Sequence, residues 1–402
     1  MEIRPIFSAL MRSKVSMILI GLQVALTLAI VTNSLFIIGQ RLERMDRPSG
    51  MNEADTFTIS SIGFGEGFDA ALTQQTDVDM IRQLPGIAAV TPTNTTPLSN
   101  GGWSTGVQLK PNQKTQTAGT AYYFVDQNGL DAFGVKLIAG RNFEAGEIAN
   151  VSFNDKLKPT QMMVSNALAL KLFPEGDALG KQIYMDDGPP TTIIGIVQKM
   201  QQPWVDAEEI EYSSLIPFRM SAGNATRYLI RAESGRRDEA MKSVSEAMTA
   251  SNNSRIVGST QSMEKTRKEA YSGDRAMAII LVTVITLLLA ITALGIVGMA
   301  SFWVAQRTKQ IGTRRALGAT RGDILRYFQT ENFVITTLGL IVGGILAYAL
   351  SLWLMQNFQS PRLPWFYVPI GVVVLWLLGQ IAVLGPALRA SRVPPAVATR
   401  SV

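Results

Sequence analysis

Neither cysteine nor histidine occurs anywhere in the 402 residues. Without cysteine the chain forms no disulfide and no thiolate metal centre. Without histidine it lacks the commonest general base and the commonest metal ligand, so Ser-His-Asp and Cys-His catalysis are excluded within it. Charge is sparse as well. Asp, Glu, Lys and Arg make up 17% of the chain, and four long stretches carry none of them. These are 15–38, 276–304, 333–354 and 368–388. Each exceeds the roughly 18–20 residues a helix needs to cross the hydrocarbon core, and none shows the polar stripe of a water-facing helix. Four membrane spans are expected, and with no ionisable residue at mid-depth the energy for any transport has to come from outside the chain.

The formal net charge of +6 does not point to nucleic acid, because the basic residues gather beside the spans. Topology and lipid headgroups explain that placement. Arg4, Arg12 and Lys14 before the first span balance Arg41, Arg44 and Arg47 after it. The 305–331 segment, however, carries Arg307, Lys309, Arg314, Arg315, Arg321 and Arg326, whereas the 355–367 loop has only Arg362. The tail adds Arg389, Arg392 and Arg400. The positive-inside bias therefore places an amphipathic segment 1–14, the 305–331 segment and the 389–402 tail in the cytoplasm, with 39–275 on the far side. The first apolar run exceeds a typical signal core and no Ala-x-Ala site follows it, so it reads as an uncleaved anchor.

Within 39–275 the pattern is that of a folded α+β domain. Thr76 to Leu84 has a capping residue, early acids and apolar positions at helical spacing, and Pro85-Gly86 stops it ahead of a strand from Ile87. A second unit of this kind follows late, with strands at 228–230 and 255–257 around a helix at 237–250. The pair brackets a strand-rich insertion at about 120–217, in which 191–197 is a β-branched strand and Asp186-Asp187-Gly188 a turn. The stretch from Gly176 to Gln182 imitates a phosphate loop but is one residue short, and Gln182 stands where Ser or Thr would hold magnesium. The expected fold is thus an α-helical membrane protein of four transmembrane helices, one plus three, with a large α+β extracytoplasmic domain of two subdomains. No enzymatic activity, bound cofactor or metal is expected of the chain itself.

Two clusters invite a functional reading. A helix continuing the second span from Ala305 to Leu317 would stop at Gly318, and Thr320 and Asp323 would cap the next one. Ile311 and Leu317 would then be apolar knobs among Arg307, Lys309, Arg314 and Arg315, suited to a partner's groove, or the same arginines would simply meet lipid phosphates. Gly339 and Gly343 form a small-xxx-small pair, either a dimer seam or packing inside one chain.

A resemblance rests on several of these stretches. Phe133 to Phe143, Val164 to Ala169, Leu172 to Lys181 and Ile194 to Val197 resemble the "G-x-x-L-x-x-G-R-x-F", "V-x-N" and "L-F-P … G-K" features of MacB-type periplasmic core domains. The run Arg307, Gln310, Ile311, Gly312, Arg314, Arg315, Leu317, Gly318 is similar to the "R-x-x-E-I-G-x-R-R-A-L-G-A" motif of FtsX-like permeases, and Pro386 to Arg400 to their ending. The resemblance implies a transmembrane permease subunit of an ABC transporter in the bacterial inner membrane. It would dock a separate ATPase, which binds ATP and Mg, through those eight residues. It also implies mechanotransmission to the periplasmic domain, efflux, and pairing as a homodimer or with a related permease. A periplasmic adaptor and outer-membrane channel are further partners it suggests. The family's acid in "E-I-G" is Gln310 here. The alternative is an FtsX-like signalling subunit that regulates a cell-wall hydrolase. No feature selects a substrate.

Overall fold

The computed structural model describes residues 14–152, 155, 157–185, 188–221, 223–358 and 361–394. Expectations for 1–13, for the Asp186-Asp187 turn and for the tail beyond 394 lie outside these residues. The chain divides into two compact units, Met1–Met45 with Asp274–Val402, and Asp46–Gly273.

Helix α1 (Lys14–Met45) belongs to the first unit. The second opens with β1 (Thr56–Gly63), α2 (Ala70–Gln83) and β2 (Ile87–Pro92). The chain then makes β3 (Trp103–Gln108), β4 (Ala118–Phe124), α3 (Gly129–Phe133), β5 (Leu137–Gly140), β6 (Ala149–Ser152), β7 (Gln161–Ser165) and α4 (Asn166–Leu172). After these come β8 (Gln182–Met185), β9 (Pro190–Val197), β10 (Ser213–Ile216) and β11 (Phe218–Ser221). The unit closes with β12 (Ala225–Ala232), α5 (Arg237–Ser251), β13 (Arg255–Val257), β14 (Gln261–Ser262) and α6 (Met263–Ala270).

Two sheets result. In the first, the order is β13-β1-β12-β2 with β14 also on β1, so the early and late units of the sequence join into one layer. Alternation along β1 turns Phe57 and Ile59 into a core with Val78 and Ile81 of α2 and Val244 and Met248 of α5. The second sheet runs β5-β9-β7-β10-β4-β3-β8, and β8 returns to pair with β9. That closure turns six strands into a ring around Val164, Ile183, Ile193 and Ile216, removing most of the free edges. Because β3 is part of it, the inserted subdomain begins at Trp103 and not near residue 120, an extent that the polar run before Ala118 concealed.

The first helix of this unit also differs from expectation. It starts at Ala70, where the Asp69 carboxylate accepts from Leu72 N at 2.9 Å. Thr76 and Asp77 lie inside it. Asp77 is buried, ion-paired to Arg255 and hydrogen-bonded by the Tyr228 hydroxyl at 2.7 Å. An acid that looks like a first-turn residue is in fact a long-range tie, since burial without a partner would be costly.

The first unit adds α7 (Ser272–Gln306), α8 (Thr308–Ala316), α9 (Arg321–Phe358) and α10 (Tyr367–Ser391). With α1, three of these make four helices long and apolar enough to cross a membrane. Ile279, Ile280, Leu287, Ile291 and Leu294 on α7 are more than half exposed, which suits contact with lipid tails and not water. Polar side chains tie the bundle together. Thr27 and Thr292 share a hydrogen bond of 2.8 Å, and Asn33 donates to Ala347 O at 3.0 Å. Gly339 and Gly343 lie against α1 of the same chain: a Cβ on Gly339 would come within 2.7 Å of Gly21 O, and one on Gly343 within 2.9 Å of Ala25 Cα. The small-residue pair is therefore a crossing point inside the chain.

Candidate functional site

The basic segment between the second and third spans is the candidate. Its backbone breaks at Arg307, so α8 is a separate helix and not a straight continuation of α7. Gly318 ends α8 with φ of 100°, a left-handed conformation that favours glycine. Gly318 N donates to Arg315 O at 3.2 Å and Ala319 N to Arg314 O at 3.0 Å, the paired bonds of a Schellman turn. Then Thr320 N donates to the Asp323 carboxylate at 2.9 Å while Asp323 N donates to the Thr320 hydroxyl at 3.2 Å, a reciprocal cap. The helix so started is α9 itself. The expected short helix and the third span are one element.

Buried contacts fix this hairpin. Ile311 is 4% exposed and packs against Ile324, Phe328, Ala387 and Ala390, so α8 is seated on the ends of α9 and α10. Arg307 reaches both oxygens of Glu331, at 2.9 and 3.0 Å, and its guanidinium lies 5.9 Å from the Trp303 ring. Arg315 donates to Ser391 O at 2.9 Å. Arg314 lies over Tyr327 at 4.8 Å.

The eight residues singled out in the sequence thus fall into two groups. Arg307, Ile311, Gly312 and Arg315 point inward or hold the hairpin, while Gln310, Arg314, Leu317 and Gly318 are exposed. Ile311 is not the outward knob expected of it, because α9 supplies Ile324 and Phe328 to cover it. Leu317 is, at 84% exposed, with Arg314 and Arg321 also solvent-facing nearby in the chain. Glu331, Tyr327 and Ser391 were missed by sequence reasoning. One signal was present for Glu331: it and Asp323 are the only acids after Asp274.

Comparison with known proteins places these features in context. Residues 18–250 match the MacB-like periplasmic core domain, and residues 282–395 match the FtsX-like permease C-terminal domain. The uncharacterized ABC transporter permease YvrN of Bacillus subtilis (strain 168) is 25% identical over 296 residues, 69% of this chain and 69% of that protein. YknZ, an uncharacterized ABC transporter permease of the same strain, is 26% identical over 308 residues, 74% of each. The macrolide export ATP-binding/permease protein MacB of Chromobacterium violaceum is 25% identical over 286 residues, which cover 66% of this chain but 42% of that relative's length. Among solved structures, the periplasmic region of MacB from Actinobacillus actinomycetemcomitans aligns with 56% of this chain and 97% of its own, at 15% identity and a TM-score of 0.36.

Proposed function

Because the chain belongs to the family of ABC transporter permeases that join a MacB-like periplasmic core domain to an FtsX-like permease domain, we propose that it transmits the cycle of a separate ATPase to its outer domain and so drives export. The ATPase docks on the exposed face of the 307–323 hairpin, from the cytoplasmic side of a bacterial inner membrane. A transporter of this class needs two ATPase sites closing on each other, so two such permeases assemble, this chain with itself or with a related one.

The observation that carries the reading is the state of Leu317. A leucine 84% exposed at the tip of a hairpin held by a buried ion pair is an anchor without a pocket of its own. Burying it in a partner would contribute about 2 kcal/mol before ordering costs. The exposed arginines around it suit an acidic rim and a polar neighbour at Gln310. Leu317→Asp is expected to abolish copurification of the ATPase in detergent while the chain still inserts in the membrane. Full ATPase stoichiometry with Leu317→Asp would remove the docking site from this hairpin.

A further inference from the structure

The first sheet of the 46–273 unit has one face under α2 and α5 and another that is only partly covered. Thr58, Ser60 and Ile62 alternate onto that second face. Register sets Ser60 opposite Arg227, Ile62 opposite Ala225 and Thr58 opposite Leu229. Leu229 is sealed in a core with Phe133, Met163 and Met263. The other end of the face is open and floors a cleft of about 680 Å³, within the roughly 300–1,000 Å³ of small-molecule sites.

Both walls are defined by the chain. On one side the 93–103 segment is held by its own hydrogen bonds: Thr95 and Ser99 hydroxyls meet at 2.7 Å and Asn100 N donates to Pro203 O at 3.0 Å. Leu98, buried, sits in this wall at φ of 67°, a conformation that costs a bulky residue free energy and persists only where the surroundings impose it. On the other side α6 presents Thr266 and Glu269. Ile62, Trp103 and Met220 give the lining its apolar area.

The charges in the cleft are unequally engaged. Glu269 accepts from Gln261 Nε2 at 2.8 Å and lies 3.8 Å from Lys265. Arg227 donates from Nη1 to Asn94 O at 3.3 Å, and no carboxylate pairs with it among the described residues. A guanidinium has five donors in a planar fork, and Arg227, which lines the cleft, gives one of them to Asn94. The group that fits such a fork is a carboxylate or phosphate. Glu269 on the opposite wall disfavours a dianion, which sets a phosphate monoester behind a singly charged carboxylate.

We infer that this cleft binds a small amphipathic molecule bearing a single carboxylate, with Arg227 holding the carboxylate and Ile62, Trp103 and Met220 holding its apolar body. The site is built from residues of the 46–273 unit alone, and its occupancy is an equilibrium property that needs no ATPase. The test is calorimetric titration of the full chain in lipid nanodiscs with N-acetyl-Leu-Phe and with its carboxyl amide, each corrected against empty nanodiscs. The native chain is expected to bind the acid at least tenfold more tightly than the amide. Arg227→Gln is expected to bring the acid down to the affinity of the amide, and Ser60→Trp, which fills the floor, to abolish both. The native hydrogen-exchange protection of β1 and β12 in each variant separates loss of the site from loss of the fold. No binding of the acid by the native chain, equal binding of acid and amide, or an unchanged acid affinity in a folded Arg227→Gln variant overturns the inference.

Discussion

One guanidinium nitrogen of Arg307 bonds both oxygens of Glu331, joining the break after the second span to the start of the third. The Glu331 side chain is 1% exposed, so its charge depends on this partner in place of water. Glu331→Ala strands Arg307, and the expected loss of stability is about 3 kcal/mol, toward the lower bound for breaking a buried pair. Thermal unfolding in detergent, with limited proteolysis of the 307–323 hairpin, measures it. Arg307→Met with Glu331→Met is expected to recover part of the loss. A single variant as stable as the native chain would show that the pair contributes nothing.

At the crossing of the first and third spans, size decides. Gly343→Ala puts a methyl group 2.9 Å from Ala25 Cα, closer than real Cβ contacts come. Backbone must shift to admit it, at about 1–3 kcal/mol. Gly298→Ala, which meets nothing within 4 Å, is the matched control and is expected to be neutral or slightly stabilising. Equal melting temperatures for the two variants would contradict the close crossing.

In the outer domain, acid is expected to act through Glu53. Burial pushes this carboxyl up, but hydrogen bonds from Arg267, at 2.5 and 2.6 Å, and from Ser49 outweigh it and leave it below its usual value near 4.5. A depressed folded-state value means that the unfolded chain takes up the proton first. The contribution is therefore complete above about pH 4.5 and is lost as pH falls through the lower folded value. Glu53→Gln removes that contribution, so its stability is expected to fall less steeply than the native chain's between pH 5 and pH 3. Parallel acid profiles for the two would refute the assignment.

The natural absence of cysteine makes the topology directly measurable. Asn112 and Thr320 are both exposed, one in each unit. In intact spheroplasts Asn112→Cys is expected to react with an impermeant thiol reagent and Thr320→Cys to react only after lysis. The reverse pattern would invert the placement of both units.

What the sequence made legible was whatever a local pattern controls. The four apolar runs became four helices, longer at their ends because Arg41, Asp274 and similar charged residues extend them beyond the apolar stretch. Thr320 and Asp323 formed their cap, since both partners lie within one turn. Long-range choices were hidden. Asp77 has the spacing of a first-turn acid, and only the fold brings Arg255 to it. Ile311 has the composition of an exposed knob, yet Phe328 and Ala387, both distant in sequence, cover it. Gly339 and Gly343 announced a close contact without naming its other side, which Gly21 and Ala25 supply. In the 305–331 segment the sequence marked out a basic hairpin, but it could not separate the residues that hold the hairpin from those it displays.

The way the first sheet is assembled constrains how the outer domain is born. Thr56 on β1 pairs with Arg231 on β12, so the first strand to leave the ribosome is also the one that waits for a late partner. At about 5–20 residues per second, the intervening chain takes on the order of ten seconds or more to synthesise. Every strand of the closed ring lies between those two pairing partners and can fold during that interval. Most of the insertion can therefore pair within itself before β12 exists, and its last ring strand, β10, emerges just ahead of the strand that closes the host layer. Until β12 and the strands after it emerge, β1 has none of its partners, and Phe57, Ile59 and Ile62 stand on an unpaired edge open to misassociation.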